Sequence, residues 1–233
     1  MPTIADNLQH VYQQIHAAAK LACRNPEGIH LLAVSKAHPA SAIRECYKAG
    51  QRHFGENYLQ EALLKQEALA DLTDLCWHFI GPLQTNKTRK VAEQFDWVHS
   101  IDRQRIAERL SEQRPANCEP LNVCIQVNLQ DEDSKSGVAL QDVAPLAKSI
   151  MALPNLKLRG LMAIPVKSDD YAVQLGSFTQ VAKLMRELQS STQLATLDTL
   201  SMGMSNDLQA AIAAGATIVR VGTGIFGPRQ PQT

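Results

Sequence analysis

The sequence carries no excess of charge of either sign. Its 233 residues include 23 Lys and Arg and 23 Asp and Glu, so the formal net charge is zero. A chain without net positive charge has no general electrostatic attraction to nucleic acid or to an anionic membrane surface. We therefore expect neither a nucleic-acid partner nor a membrane partner, and any anion-binding site must be local.

Signals for export, membrane insertion and disulfide pairing are also missing. Residues 1–20 contain no continuous apolar stretch, and no apolar run in the chain approaches the ~20 residues that a membrane span needs. The five cysteines are odd in number and form no C-x-x-C pair, so we expect free thiols in a reducing compartment. Together these absences predict a cytoplasmic protein.

Several motifs that identify common enzyme classes are absent. There is no G-x-G-x-x-G after the first predicted strand, no G-x-x-x-x-G-K-[ST], no H-E-x-x-H and no G-x-S-x-G. These absences argue against a dinucleotide-binding fold, a P-loop protein, a zinc protease and an α/β-hydrolase. The seven histidines are scattered along the chain, so no metal site is expected.

Short apolar segments alternate with stretches of helical periodicity. The predicted strands cover residues 29–36, 52–57, 77–81, 96–102, 122–128, 158–164, 199–203 and 217–222. The intervals between the strands carry helical patterns, for example over residues 39–50, 86–95, 103–113, 140–153, 177–189 and 207–215, after a leading helix from residue 3 to about 24. The strands are continuous apolar runs, which is typical of a parallel sheet covered on both faces.

This alternation predicts an α/β fold, a single-domain (β/α)8 TIM barrel. The domain would span residues 1–233, with the leading helix (1–24) packed outside the barrel and a tail over residues 228–233. An open doubly wound sheet is the alternative. The missing glycine motif after the first strand argues against it.

In a TIM barrel the functional residues lie at the C-terminal ends of the strands, and Lys36 ends the first one. A lysine in a partly desolvated cavity has a depressed pKa, and its neutral amine can attack an aldehyde to form a Schiff base. An ordinary exposed lysine at the start of a loop is the competing interpretation, and position alone favours it.

Glycines and hydroxyls follow the last two predicted strands, in Ser201-Met202-Gly203-Met204-Ser205 and Gly222-Thr223-Gly224. Such loops bind phosphate in many TIM barrels, although tight turns would explain each loop separately. Arg220 lies inside the last strand, where a buried guanidinium needs an acceptor. A heteroaromatic nitrogen or a structural salt bridge would satisfy it.

Several longer segments resemble a known family. They are AVSK (33–36), HFGENYLQE (53–61), WHFIGPLQTNK (77–87), SKSG (134–137), RGLMAI (159–164) and LSMGMSNDLQAAIAAGATIVRVGTGIFG (200–227). In order and spacing they resemble the pyridoxal phosphate homeostasis protein family over nearly the whole chain.

The resemblance implies a fold-type III barrel like the N-terminal domain of alanine racemase, with pyridoxal 5'-phosphate as cofactor. It implies an internal aldimine on Lys36, Arg220 facing the pyridine nitrogen, and a position for Asn57 near the ring or the lysine. The implied cofactor-binding residues are Lys36, Asn57, Ser201, Arg220, Gly222 and Thr223. Of these, Ser201, Gly222 and Thr223 would hold the phosphate.

The implied function is intracellular homeostasis of pyridoxal phosphate by storage, buffering or delivery, without catalysis and without catalytic residues. An arginine opposite the ring nitrogen keeps that nitrogen unprotonated, which makes the ring a poorer electron sink. The chain also ends at Thr233, which leaves no room for the extra domain of racemases. Apo-enzymes that use the cofactor are the expected partners, and a monomer is favoured.

Two enzyme functions stay open at this point. A weak amino-acid racemase would use Lys36 as one of its bases. A different barrel enzyme would act on a phosphorylated sugar or aldehyde through a Lys36 Schiff base, and would show no stable visible chromophore.

Overall fold

The computed structural model describes residues 2–129, 136–192 and 196–228. The strands are β1 (His30–Val34), β2 (His53–Glu56), β3 (Cys76–Phe79), β4 (Trp97–Ile101), β5 (Leu121–Asn128), β6 (Val138–Ala139), β7 (Leu156–Ala163), β8 (Thr199–Ser201) and β9 (Ile218–Val221). The α-helices are α1 (Ile4–Leu21), α2 (Ala40–Lys48), α3 (Leu59–Ala68), α4 (Thr88–Gln94), α5 (Gln104–Gln113), α6 (Val143–Met151), α7 (Tyr171–Thr192), α8 (Leu208–Ala214) and α9 (Thr223–Phe226).

Eight of these strands form a closed parallel ring. Its order is β1, β2, β3, β4, β5, β7, β8 and β9, and β9 pairs again with β1. The pairing of β4 with β5 joins the two halves, so the sheet has no open edge there. The (β/α)8 barrel is therefore confirmed and the open doubly wound sheet is wrong. The two-residue strand β6 adds a short pairing at the end of β5.

All eight predicted strands are present, but the sequence pattern did not mark every helix correctly. Helical periodicity was expected in every interval, but no bounds were predicted for α3, and α7 begins at Tyr171 instead of residue 177. The Asp170 carboxylate accepts hydrogen bonds from the N–H groups of Ala172 and Val173, at 2.7 and 3.3 Å. This side-chain cap starts the helix before its apolar face reaches the core at Phe178.

The first helix packs on the outside of the barrel, against α8, α9 and α2. A capping box between Thr3 and Asp6 starts it. Its buried face, which includes Val11, contacts α8 and α9. The Arg24 guanidinium also donates to the Ile212 and Ala216 carbonyls, at 2.7 and 2.8 Å. Helix α1 therefore supports the segments that follow β8 and β9.

Some sequence-based expectations fall outside the described residues. These are residues 229–233 of the tail and residues 130–135, which include the first half of the SKSG segment. The cysteines are free, as expected. None of the helices in the described parts of the chain is both long and apolar enough to cross a membrane.

Candidate functional site

The residues singled out from the sequence gather on one arc of the barrel rim. Lys36 follows β1, Asn57 follows β2, Ser201 ends β8, and Arg220 lies in β9 just before Gly222 and Thr223. The strands β2, β1, β9 and β8 are consecutive neighbours in the ring. Parallel strands present their C-terminal ends on one face, so the four strand ends form a single surface.

A cavity of about 520 Å³ opens at this end of the barrel. Asn57, Ile80, Gln126 and Lys167 are among the residues that line it. The Asn57 Oδ1 atom is buried, and no donor among the described residues reaches it. A buried carbonyl oxygen without a donor carries a desolvation penalty that a bound ligand can relieve. The cavity size is in the range of small-molecule sites.

Lys36 projects from a strained turn. The Ser35 N–H donates to the Gly55 carbonyl at 3.0 Å, which extends the β1–β2 pairing up to Lys36. The next residue, Ala37, has φ 61° in the left-handed region, which costs a non-glycine residue about 1–3 kcal/mol. Its N–H donates to Glu61 Oε1 at 2.6 Å, which stabilises the turn. Lys36 itself is half-buried.

A buried charge cluster lies beneath this turn. Lys65 Nζ donates to Glu56 Oε1 and to the Ser35 carbonyl, both at 2.8 Å, and to Glu61 Oε1 at 2.5 Å. The Ser35 hydroxyl donates to Glu56 Oε1 at 2.6 Å. Burial raises the pKa of Glu56, while the Lys65 ammonium opposes that shift. The cluster therefore holds the residues on both sides of Lys36.

Arg220 is buried with neutral acceptors. Its Nη1 donates to the Ser201 carbonyl at 2.6 Å and to Ser201 Oγ at 2.8 Å, and its Nη2 donates to the Ala163 carbonyl at 2.9 Å. Among the described residues no carboxylate lies within salt-bridge distance of it. Burial lowers the pKa of Arg220 to about 10, so it stays charged at neutral pH. The structural salt bridge that the sequence allowed for Arg220 is therefore not found among the described residues.

A chain of hydrogen-bonded side chains runs from Arg220 through the barrel interior to the half-buried His53. Ser201 Oγ contacts His99 Nδ1 at 2.8 Å, His99 Nε2 contacts His78 Nδ1 at 2.9 Å, and His78 Nε2 contacts His53 Nδ1 at 3.0 Å. Burial and the nearby Arg220 charge lower the pKa of His99 to about 3. Burial, with the neighbouring histidines, lowers the pKa of His78 well below its usual range. Both rings are neutral at physiological pH.

These buried neutral histidines predict acid sensitivity. A folded-state pKa below the unfolded value of about 6.5 means that the unfolded chain binds protons first as the pH falls. The neutral histidines therefore contribute their full stability above about pH 6.5. That contribution is lost as the pH falls from about 6.5 to the pKa of the folded state. Lowering the pH from about 7.5 to about 5.5 should lower the free energy of unfolding by about 1.4 kcal/mol for each of the two histidines, His78 and His99.

Urea unfolding at the two pH values measures this loss. Between these two pH values, the free energy of unfolding of the His99→Asn variant should fall by about 1.4 kcal/mol less than that of the wild type. The exposed His16 on α1 provides the control, and its replacement by asparagine should leave the pH difference unchanged. Equal losses in all three proteins would contradict the assignment.

The loops after β8 and β9 meet at the rim. Gly203 has φ +93°, and a Cβ there would stand 2.4 Å from the Ala211 Cβ, so no other residue fits. Ser205 Oγ lies 3.7 Å from the position of a Cβ on Gly224, which brings the two loops together. The N–H groups of Thr223 and Gly224 belong to the first turn of α9, where an α-helix offers no internal acceptor. Hydroxyls and N–H groups at this meeting point suit an anion.

The histidine chain, the Glu56–Glu61–Lys65 cluster and the position of Ser205 were not identified from the sequence. Ser205 was visible in the S-M-G-M-S segment, and Glu61 and Lys65 have the i,i+4 spacing of a helical ion pair. The structure buries His78 in the barrel interior.

Comparison with known proteins places this barrel in a family. The model of the alanine racemase N-terminal domain matches residues 6–230. The pyridoxal phosphate homeostasis protein of Pseudomonas aeruginosa is 57% identical over 229 residues, covering 98% of this chain and 97% of that protein. The Escherichia coli protein of the same name is 55% identical over 231 residues, with 98% of each chain covered.

Solved structures agree. PipY of Synechococcus elongatus with pyridoxal phosphate bound is 42% identical, with a TM-score of 0.84, and the match covers 97% of this chain and all of that one. Alanine racemase of Corynebacterium glutamicum is 19% identical with a TM-score of 0.66, and the match covers 99% of this chain and 62% of the racemase. The second likeness bears on the fold alone.

Proposed function

The chain belongs to the pyridoxal phosphate homeostasis protein family, and from that premise we propose that it binds pyridoxal phosphate covalently through Lys36 and controls its free concentration. The observation that carries the proposal is the arc of four neighbouring strand ends. It brings the Lys36 amine, the buried Arg220 guanidinium and the two loops after β8 and β9 to the same end of the barrel. These three groups match the aldehyde, the ring nitrogen and the phosphate of the cofactor.

The residues present fit the cofactor. Lys36 would hold its aldehyde carbon, and Arg220 would donate to its ring nitrogen. The loop residues Gly222 and Thr223, with Ser201 and the neighbouring Ser205, would hold its phosphate. The unpartnered Asn57 Oδ1 at the cavity wall would accept a hydrogen bond from a polar group of the ligand.

When bound, pyridoxal phosphate supplies an electrophilic aldehyde and an electron-accepting ring. The protein residues restrain both. Arg220 stays charged at neutral pH and can only donate, so it does not protonate a ring nitrogen. The neutral His99 supports Ser201 and Arg220 without adding charge beside them. This arrangement favours retention of the cofactor over its use in catalysis.

We therefore propose a carrier that is not an enzyme. Residues 1–233 act as one binding unit in the cytoplasm, as a monomer, and deliver the cofactor to apo-enzymes that need it. The alternative is a weak amino-acid racemase with Lys36 as a base. An assay separates them: the carrier reactivates an apo-enzyme stoichiometrically and shows no enzyme-dependent racemisation of alanine or other amino acids. Steady racemisation that Lys36→Ala abolishes would contradict the carrier.

The phosphate loop can be tested separately. Replacing Thr223 by valine removes a hydroxyl donor at equal volume, and a hydrogen bond to a charged phosphate is worth about 1.5–3 kcal/mol. Binding of pyridoxal phosphate should weaken by about 10- to 100-fold, and binding of pyridoxal, which lacks the phosphate, should change little. Equilibrium dialysis measures both, with the exposed Thr179→Val as control. Equal losses for the two ligands would exclude Thr223 from the phosphate site.

A further inference from the structure

A second cavity, of about 270 Å³, lies at the opposite end of the barrel, where the strands begin. Its lining includes His30, His53, His78 and Trp97. His53 and Cys76 are the first residues of β2 and β3. The cofactor arc described above is at the C-terminal ends of the same strands, so this cavity is separate from it.

Three metal-ligating side chains converge beside this cavity. His78 Nε2 lies 3.0 Å from His53 Nδ1 and 3.4 Å from Cys76 Sγ. All three ligand atoms lie within 4.8 Å of one another. A tetrahedral zinc ion with Zn–N of about 2.0–2.1 Å and Zn–S of about 2.3 Å separates its ligands by about 3.3–3.6 Å. The two distances from His78 Nε2 are close to this spacing, and the separation of His53 Nδ1 from Cys76 Sγ is within 4.8 Å.

We propose that His53, Cys76 and His78 form a binding site for a divalent transition-metal ion of the zinc type. A thiolate with two imidazoles is a ligand set that zinc and cobalt favour over magnesium or calcium. The adjoining cavity leaves room for water at a fourth position and gives the ion a route to the ligands.

The surroundings of the three ligands support the site. The Asp96 carboxylate accepts a hydrogen bond from the Trp77 N–H at 2.7 Å, and its negative charge near Cys76 and His53 favours a bound cation. Burial, with this carboxylate, raises the pKa of the Cys76 thiol to about 12, so a metal ion must displace the thiol proton when it binds. His78 is held at its other nitrogen, Nδ1, by His99 at 2.9 Å. Metal-bound histidines usually make such a bond at the second nitrogen, which fixes the ring orientation and tautomer. A metal on His78 Nε2 therefore requires the His78 proton on Nδ1.

The location indicates what the metal would do. The N-terminal face of a TIM barrel contributes to stability, while catalysis is at the other face. The ligands come from β2 and β3, so a bound ion joins two neighbouring strands. Because the ion binds the folded chain, saturating zinc should raise the Tm by several degrees.

The experiment uses the full-length protein, stripped with a chelator and then titrated with Zn²⁺ or Co²⁺. We expect one ion per chain. Cobalt should give thiolate-to-metal charge-transfer bands and the intense d–d bands of tetrahedral coordination, in difference spectra against the cobalt-free protein. Cys76→Ser should abolish the charge-transfer bands, and His53→Gln should weaken binding at least tenfold.

Two variants serve as controls, and circular dichroism checks that each protein is folded. Cys118→Ser and His16→Gln remove a thiol and an imidazole elsewhere and should leave stoichiometry and spectra unchanged. The proposal is overturned if cobalt produces no charge-transfer band in the folded wild type. It is equally overturned if the band survives in Cys76→Ser or disappears in Cys118→Ser. In those cases the His53–His78 contact is an ordinary hydrogen bond.

Discussion

Replacing Lys36 by alanine is expected to abolish covalent retention of pyridoxal phosphate without unfolding the protein. The side chain is half-buried and follows β1, so its loss removes the amine and leaves the barrel pairing in place. The phosphate loops remain, so the variant should still bind the cofactor weakly and reversibly. Gel filtration followed by a visible spectrum should show cofactor on the wild type and none on the variant.

Lys167 provides the control, because it lines the cavity at the same end of the barrel but does not end a strand. Lys167→Ala should keep the cofactor through gel filtration. If Lys36→Ala retains the chromophore, or if both variants lose it equally, the cofactor is not attached at Lys36.

Replacing Lys65 by methionine is expected to lower the free energy of unfolding by about 3–5 kcal/mol at neutral pH. Lys65 is buried against Glu56 and Glu61, and its removal leaves two carboxylates without their cation. Without the Lys65 ammonium, the pKa of the buried Glu56 carboxyl rises further. At about pH 5 this carboxyl takes up a proton in the folded variant, so the loss of stability should be smaller there. Urea unfolding at both pH values measures this.

The exposed pair of Lys183 and Glu187, with 3.9 Å between its charged atoms, provides the comparison. Lys183→Met should change the free energy of unfolding by no more than about 0.5 kcal/mol at either pH. A Lys65→Met loss of that small size would mean that the carboxylates are already protonated in the wild type. A wild-type-like pH dependence of the Lys65→Met variant would lead to the same conclusion.

The barrel was predictable because each strand is a continuous apolar run and each interval has its own periodicity. Lys36 and Arg220 were identifiable because charged residues are rare in apolar strands. Lys36 stands at the end of such a strand, and Arg220 lies inside one. The rule that parallel strand ends share a face then brought Lys36, Asn57 and Ser201 together. What each of these residues binds stays a prediction.

The interior contacts were not predictable for a physical reason. His53, His78 and His99 lie 25 and 21 residues apart, and only the register of adjacent strands brings their rings into contact. Nothing in the local sequence encodes that register. The expectation of no metal site rested on the same local spacing, which cannot detect ligands that come from two strands.

The most direct test of the account is borohydride reduction of the wild-type protein with its cofactor, followed by peptide mapping by mass spectrometry. We expect a visible absorbance band that reduction removes, and one pyridoxyl-phosphate adduct per chain on Lys36. A protein that shows no band after addition of excess pyridoxal phosphate would contradict the account. Adducts spread over exposed lysines with Lys36 unmodified would contradict it as well.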